Sequence, residues 1–285
     1  MRGSGSSLSF GSLFTFGTWD WSQPVGLSNG AKRNAKASYA RQFKDRRSCG
    51  KPRPLVATLA RLISNDRKML NLSYKTAGLI LPVILLGTTV FAFFIFSKLC
   101  GERLGYFFGF LFYWTIWCLL IPLCFITWGD ITTLFNFNWT LFNQNKSLNI
   151  FCLLFPLIFA YSYAFPKALQ TATAQIIIVS FLLAVINATM EEILWRGLYL
   201  KFFSADKWSY IIISSVGFAI WHFAPQIIFP NKAPGGQSSF VLFALVFGII
   251  YSIVTFKTRS IALVTFSHIL LDFSGLGARI YLAKT

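Results

Sequence analysis

The chain is 285 residues long, 55% hydrophobic and 18% aromatic, with 12% charged side chains, a net charge of +17 and a mean hydropathy of +0.60. An ordinary soluble domain carries about 25% charged residues, so this supply cannot cover a water-exposed surface and a soluble globular protein is all but excluded. The charge is also uneven: of 26 Lys and Arg, 14 lie in residues 1–75, ahead of an apolar remainder with the character of a multi-span membrane protein.

Residues 1–75 hold 11 Ser and only three acids, Asp20, Asp45 and Asp66. No apolar core precedes a small-residue cleavage site, which argues against a secretory signal peptide. The composition suits an organellar transit peptide or a basic arm lying on anionic lipid. Met69 shortly precedes the first span, so a start there is a third origin. Whichever origin is true, disorder is the expectation for the segment. No known motif or regular aromatic interleaving accompanies the basic residues, so nucleic acid is not an expected partner. The five cysteines (Cys49, Cys100, Cys118, Cys124, Cys152) form no CxxC pair and read as small buried hydrophobes.

Apolar stretches then follow in order: Thr76–Ser97, Leu104–Gly129, Leu148–Pro166, Ala168–Met190, Trp208–Phe223, Phe240–Phe256 and Ser260–Leu276. About 20 helical residues cross a hydrocarbon core roughly 30 Å thick, so the expectation is seven spans, give or take one. A polar stretch, Asn136–Asn149, separates the second from the third, and Pro230, Pro234 and Gly235-Gly236 break the chain before the sixth. No strand-like alternation competes. The expected fold is an all-α, polytopic transmembrane helical bundle with a polar intramembrane cavity. It divides into a basic N-terminal segment (1–75), N-terminal transmembrane helices (76–166) and a C-terminal transmembrane core (167–285). Basic residues split evenly between the two sets of loops, so orientation rests on the leader, which if genuine puts the ends bearing Lys201 and Lys257 in the cytosol.

Ionisable residues inside apolar spans cost at least ~2.5–3.5 kcal/mol each and mark function by default. They gather in three places: Met190-Glu191-Glu192-Ile193-Leu194-Trp195-Arg196, Phe218-Ala219-Ile220-Trp221-His222 and His268-Ile269-Leu270-Leu271-Asp272. Both histidines of the chain fall in these runs. Glu192 and Arg196 share a helix face and can pair, as can His268 and Asp272. Glu191 is rotated about 100° from Glu192 and can face elsewhere. Counted from the charged span ends at about 1.5 Å per residue, Glu191, His222 and His268 lie roughly 15, 21 and 14 Å deep from one side. Three residues far apart in sequence thus reach a similar depth. Each alone has a structural reading, as a satisfied core histidine, an ion pair or packing; together they describe a shared polar site. The aromatic run from Tyr106 to Trp117 reads as core or lipid-facing.

Two carboxylates and two histidines in a buried site can activate water, with a glutamate as general base and a histidine to orient the water or stabilise charge. Glu and His can equally ligate Zn²⁺, and Glu191, His222 and His268 would be its ligands. These residue types alone do not select proteolysis. The order EExxxR, FxxxH, HxxxD on late spans resembles the CPBP family, the CAAX protease and bacteriocin-processing group that includes the Abi proteins, over about residues 170–280. The resemblance implies an integral membrane endopeptidase in which Glu191 activates water with the assistance of His222. It implies that Glu192 and Arg196 hold the first motif, and that His268 and Asp272 stand near the scissile carbonyl oxygen. Prenyl-processing members usually carry Asn where this chain has Asp272. An ionised Asp can only accept a hydrogen bond, so Asp272 would be protonated, orient His268 or help bind a metal. This departure favours the broader bacterial-type membership.

The resulting expectation is hydrolysis of a peptide bond in a membrane-bound protein or peptide, in the cell (inner) membrane, with no obligatory metal. The rivals are a non-proteolytic immunity or scaffold protein and a proton-coupled transporter. A transporter should often show repeated halves with broken helices, which are not evident in the sequence.

Overall fold

A computed structural model describes residues 54–231 and 235–282, with side chains from residue 73 onward. Its elements are α-helices in the order α1 (Pro54–Cys100), α2 (Glu102–Phe125), α3 (Trp128–Leu134), α4 (Trp139–Asn143), α5 (Lys146–Leu169), α6 (Ala174–Phe202), α7 (Lys207–Trp221), α8 (Gly236–Thr258), α9 (Ala262–Ser274) and α10 (Arg279–Leu282). No strand occurs among the described residues. The all-α polytopic bundle is thus the observed architecture.

Among the described residues, six helices are long and apolar enough to cross a membrane: α1 from Ser73, α2, α5, α6, α7 with the turn that follows it to Ile227, and α8. The seventh expected span is shorter than its apolar stretch. Arg259 takes a left-handed φ of 55° after α8, and Leu276 takes a φ of 46° just beyond Gly275. These breaks confine α9 to 13 residues, about 20 Å of helix, and it packs against α5 and α6 inside the bundle. A second difference lies at the other end. Helix α1 begins at Pro54, so residues 54–75 are helical where disorder is expected; no Gly or Pro interrupts 55–77. Residues 1–53, including Cys49, lie outside the described residues. Of the other cysteines, Cys118 and Cys152 are buried, but Cys100 and Cys124 are exposed.

Close helix contact depends on small residues, as membrane packing requires. Gly101, with φ 79°, turns the chain between α1 and α2. Gly105 then sits directly on the Ser97 backbone, where a Cβ would collide. Between α7 and α8, Gly248 approaches Ser215, and the Ser252 hydroxyl shares hydrogen bonds with Ser214 (2.9 Å) and Ser215 (3.3 Å). Polar caps fix the helix starts: the Thr173 hydroxyl accepts from the Ile176 N–H, and the Asp206 carboxylate accepts from the Ser209 N–H. Three helices contain a widened π turn, at Tyr113–Leu120, Ala160–Ala164 and Ile193–Leu198. Such turns concentrate at functional positions, and the third begins immediately after Glu191-Glu192.

Candidate active site

Helix α6 brings the first motif into the bundle. Glu191, Glu192 and Arg196 are all buried, at 1%, 0% and 0% exposure. Ions taken this far from water must be compensated locally. The Arg196 Nη1 lies 3.2 Å from Glu192 Oε1. Its guanidinium also stands 4.3 Å from the Phe218 ring centroid and 5.7 Å from that of Tyr251, so α7 and α8 each supply an aromatic face to the cation.

Helix α9 supplies the centre of the cluster. His268 Nδ1 lies 2.8 Å from Glu192 Oε1, while its Nε2 faces Glu191 Oε2 at 3.6 Å and Asp272 Oδ1 at 3.4 Å. Glu191 and Glu192 do point in different directions, and the imidazole sits between them, one carboxylate toward each nitrogen. The i,i+4 approach of Asp272 to His268 is present, but the closest partner of the ring is Glu192.

Three carboxylates therefore surround one imidazole, and each is held differently. Glu192 Oε1 is paired with the Arg196 guanidinium and lies against His268 Nδ1. Asp272 Oδ2 accepts the Asn187 side-chain N–H at 2.8 Å, and Asn187 Oδ1 accepts the indole N–H of Trp114 at 2.8 Å. Glu191 Oε1 accepts the indole N–H of Trp221 at 3.0 Å. Among the described residues, Glu191 Oε2 and Glu192 Oε2 have no hydrogen-bond partner.

His222 occupies the edge of this arrangement, half-buried at the end of α7. Its Nδ1 is 2.6 Å from the Phe218 carbonyl oxygen. A carbonyl only accepts, so Nδ1 carries the proton and the Nε2 lone pair of the neutral ring is left available. The Phe218 ring packs against both histidines, with its centroid 4.6 Å from His222 and 5.8 Å from His268.

Sequence reasoning named the six ionisable residues but assigned no role to the groups that hold them. Trp221 grips Glu191 and is itself stacked on Tyr113 (3.6 Å between centroids, 15° between planes). The Tyr113 hydroxyl accepts from the Trp195 indole N–H at 2.9 Å. Tyr113 and Trp114, within a run read only as core or lipid-facing, are buried core residues whose polar ends enter the site. Asn187 left one legible signal: a polar amide four residues before Glu191, on the same face of an otherwise apolar helix.

Zinc ligation by Glu191, His222 and His268 is the other chemistry these side chains suggest. Among the described residues, no three His, Cys, Asp or Glu side chains are arranged to hold a metal ion. The close approach of Glu192 to His268 Nδ1 shows that this nitrogen is engaged by a carboxylate. That leaves Nε2 as the nitrogen that faces Glu191 and Asp272, and the chemistry proposed for the site uses these side chains without a metal.

Residues 173–274 match the family model described as type II CAAX prenyl endopeptidase Rce1-like. The match opens at the Thr173 cap of α6 and closes at the last residue of α9, and so contains all six ionisable residues of the cluster. No curated protein and no solved structure matches the chain. The matched segment is a CAAX protease domain of the CPBP type, and the protein is a multi-pass membrane peptidase.

Proposed function

We propose that this CAAX-type intramembrane endopeptidase uses Glu191 to activate the water that attacks the scissile carbonyl, assisted by His222. The substrate is a peptide bond of a membrane-associated protein or peptide. The observation that carries the reading is the unequal treatment of the three carboxylates. Glu192 faces a guanidinium and an imidazole, and Asp272 receives an amide N–H and faces the same imidazole. On Glu191 the indole N–H occupies Oε1 and Oε2 meets the imidazole only at 3.6 Å, beyond hydrogen-bond distance, whereas Glu192 Oε1 is held at 3.2 Å by the guanidinium and at 2.8 Å by the imidazole. A carboxylate oxygen with spare lone pairs in a low-dielectric interior is a competent proton acceptor.

In the proposed step, an O–H bond of water breaks, its proton passes to Glu191 Oε2, and the oxygen forms a bond to the carbonyl carbon. The Nε2 lone pair of His222 accepts the second O–H and orients the water. Collapse of the tetrahedral intermediate breaks the C–N bond while Glu191 returns its proton to the departing amine. His268 counters the negative charge that develops, and Asp272, held by Asn187, orients it. Positioned general-base catalysis is worth ~10²–10⁴ in rate. The ends bearing Lys201 and Lys257 face the cytosol, in the cell (inner) membrane; thiol labelling of single cysteines placed there in intact cells reads that orientation.

The test is cleavage of a farnesylated CAAX peptide and of unprenylated membrane peptides by the purified protein in lipid, beside Glu191→Ala and His222→Ala. Loss of turnover in both variants, with unchanged thermal unfolding, supports the assignment. Cleavage by both at the parental rate overturns it.

A further inference from the structure

A second region, remote from the peptidase cluster, lies where three spans end together. The first span begins at Ser73, α6 ends at Phe202 and α7 begins at Lys207. These ends enclose a cavity of about 700 Å³ lined by residues 74–75 and 201–208. Because the lining residues are the termini of spans, the cavity lies at the boundary between hydrocarbon and water.

Its charge is one-sided. Lys75, Lys201 and Lys207 line it against a single acid, Asp206. Asp206 is already engaged, as the N-cap of α7 and as the partner of Lys75 at 3.5 Å. Lys201 and Lys207 are exposed, and among the described residues no carboxylate stands within 4.0 Å of either. A fourth cation closes on the same loop: Arg259 donates to the Ser204 carbonyl oxygen at 3.1 Å from its left-handed position after α8. The aromatic lining has the amphipathic character of a membrane interface. Trp208 is 66% exposed with the Lys207 ammonium 4.8 Å from its ring, and Tyr74 stacks on Phe202.

We propose that this cavity binds the phosphate of an anionic phospholipid headgroup, with Lys201 and Lys207 contacting the phosphate oxygens and Trp208 lying at the glycerol level. A basic recess between transmembrane helices, flanked by interfacial aromatics, is the arrangement that captures anionic headgroups. Glu191 lies ten residues, roughly 15 Å along the helix, from Lys201, so the two sites are separate and the inference does not depend on the hydrolytic mechanism.

The experiment is native mass spectrometry of the full chain titrated with phosphatidylglycerol or phosphatidylcholine, with thermal unfolding followed in parallel. Wild type should bind phosphatidylglycerol at least tenfold more tightly than phosphatidylcholine. Lys201→Gln/Lys207→Gln should lower phosphatidylglycerol affinity about thirtyfold. A control that removes the same charge outside the cavity, Lys98→Gln/Lys146→Gln, should leave it within threefold. Should the double variant fail to fold, the single exposed reversal Lys207→Glu serves, with Lys207→Arg expected to retain binding. Competition by soluble glycerol phosphate would show that the site reads phosphate from either source; no competition would show that it requires the lipid. Equal affinity for the two lipids, or undiminished phosphatidylglycerol binding in both lysine variants, overturns the proposal.

Discussion

The two histidines of this chain sit in opposite surroundings. His268 is almost fully buried and faced by Glu191, Glu192 and Asp272, a ring of carboxylates contributed by two helices. His222 is half-buried, its Nδ1 spent on a backbone carbonyl and its faces met by Phe218, Trp221 and Phe240. One imidazole is an electrostatic hub that holds other groups in place. The other has a free nitrogen and few obligations. The contrast separates residues whose loss should unfold the site from residues whose loss should silence it.

The largest expected effect comes from Glu191→Gln, which keeps the shape and removes the base. Turnover of any cleaved peptide should fall by ~10²–10⁴, with melting temperature nearly unchanged because the indole of Trp221 can still donate to the amide oxygen. Progress curves and calorimetry on the same preparation check both halves. His222→Ala should resemble it in kind, with turnover lost and fold retained. His268→Ala should lose both, because Glu192 and Asp272 are left facing one another without the ring between them. If His222→Ala proves the more destabilising of the two, the contrast drawn above is wrong.

Next is the ion pair that anchors the hub. Glu192→Ala leaves Arg196 buried without its carboxylate, a change that typically costs ~3–5 kcal/mol. The effect should appear in unfolding rather than in substrate affinity. Replacing both partners, as Glu192→Gln with Arg196→Met, should recover much of that stability, since the aromatic faces of Phe218 and Tyr251 suit a thioether. Recovery of stability without recovery of turnover would show that the pair serves the site's chemistry as well as its packing.

A smaller effect, about tenfold in turnover, is expected from Asn187→Leu. This removes the N–H that holds Asp272 Oδ2 and breaks the link to Trp114. The pH profile of turnover should shift in Asn187→Leu and be restored in part by Asn187→Gln, whereas a purely structural role would lower activity without moving the profile.

How far the sequence foretold this arrangement differs between its parts. The spans were legible because an apolar run of about 20 residues has few alternatives. The last one was misjudged in length, since no composition rule anticipates non-glycine residues at positive φ such as Arg259 and Leu276. The six ionisable residues were conspicuous because charge in an apolar run is costly. Their partners were not: Trp114, Tyr113 and Trp221 are unremarkable in a chain with 9 Trp, 10 Tyr and 32 Phe. Only tertiary packing turns an indole N–H toward a carboxylate. The i,i+4 rule correctly pointed to Glu192 with Arg196, yet it could not reveal that Glu192 also approaches a histidine 76 residues away.

The smallest expected effect lies at a partly exposed carboxylate, Asp206. Its carboxylate accepts from the Ser209 hydroxyl and N–H and from Lys75, and those donors hold its pKa below the usual aspartate value. A group whose folded pKa is depressed stabilises the fold above its unfolded pKa, and that contribution disappears as pH falls through the lower, folded value. Thermal unfolding of the wild type should therefore lose a small increment on acidification, at pH values below the ordinary aspartate range. Asp206→Asn retains a good helix cap but has no proton to gain, so its melting temperature should be slightly lower near neutrality and flatter in acid. Screening by about 1 M salt should narrow the gap between the two proteins. The same salt should barely alter the cost of Glu192→Ala, because that charge is buried and this one is not. If salt affects both equally, the division between a solvated lysine-lined boundary and a dry carboxylate hub does not hold.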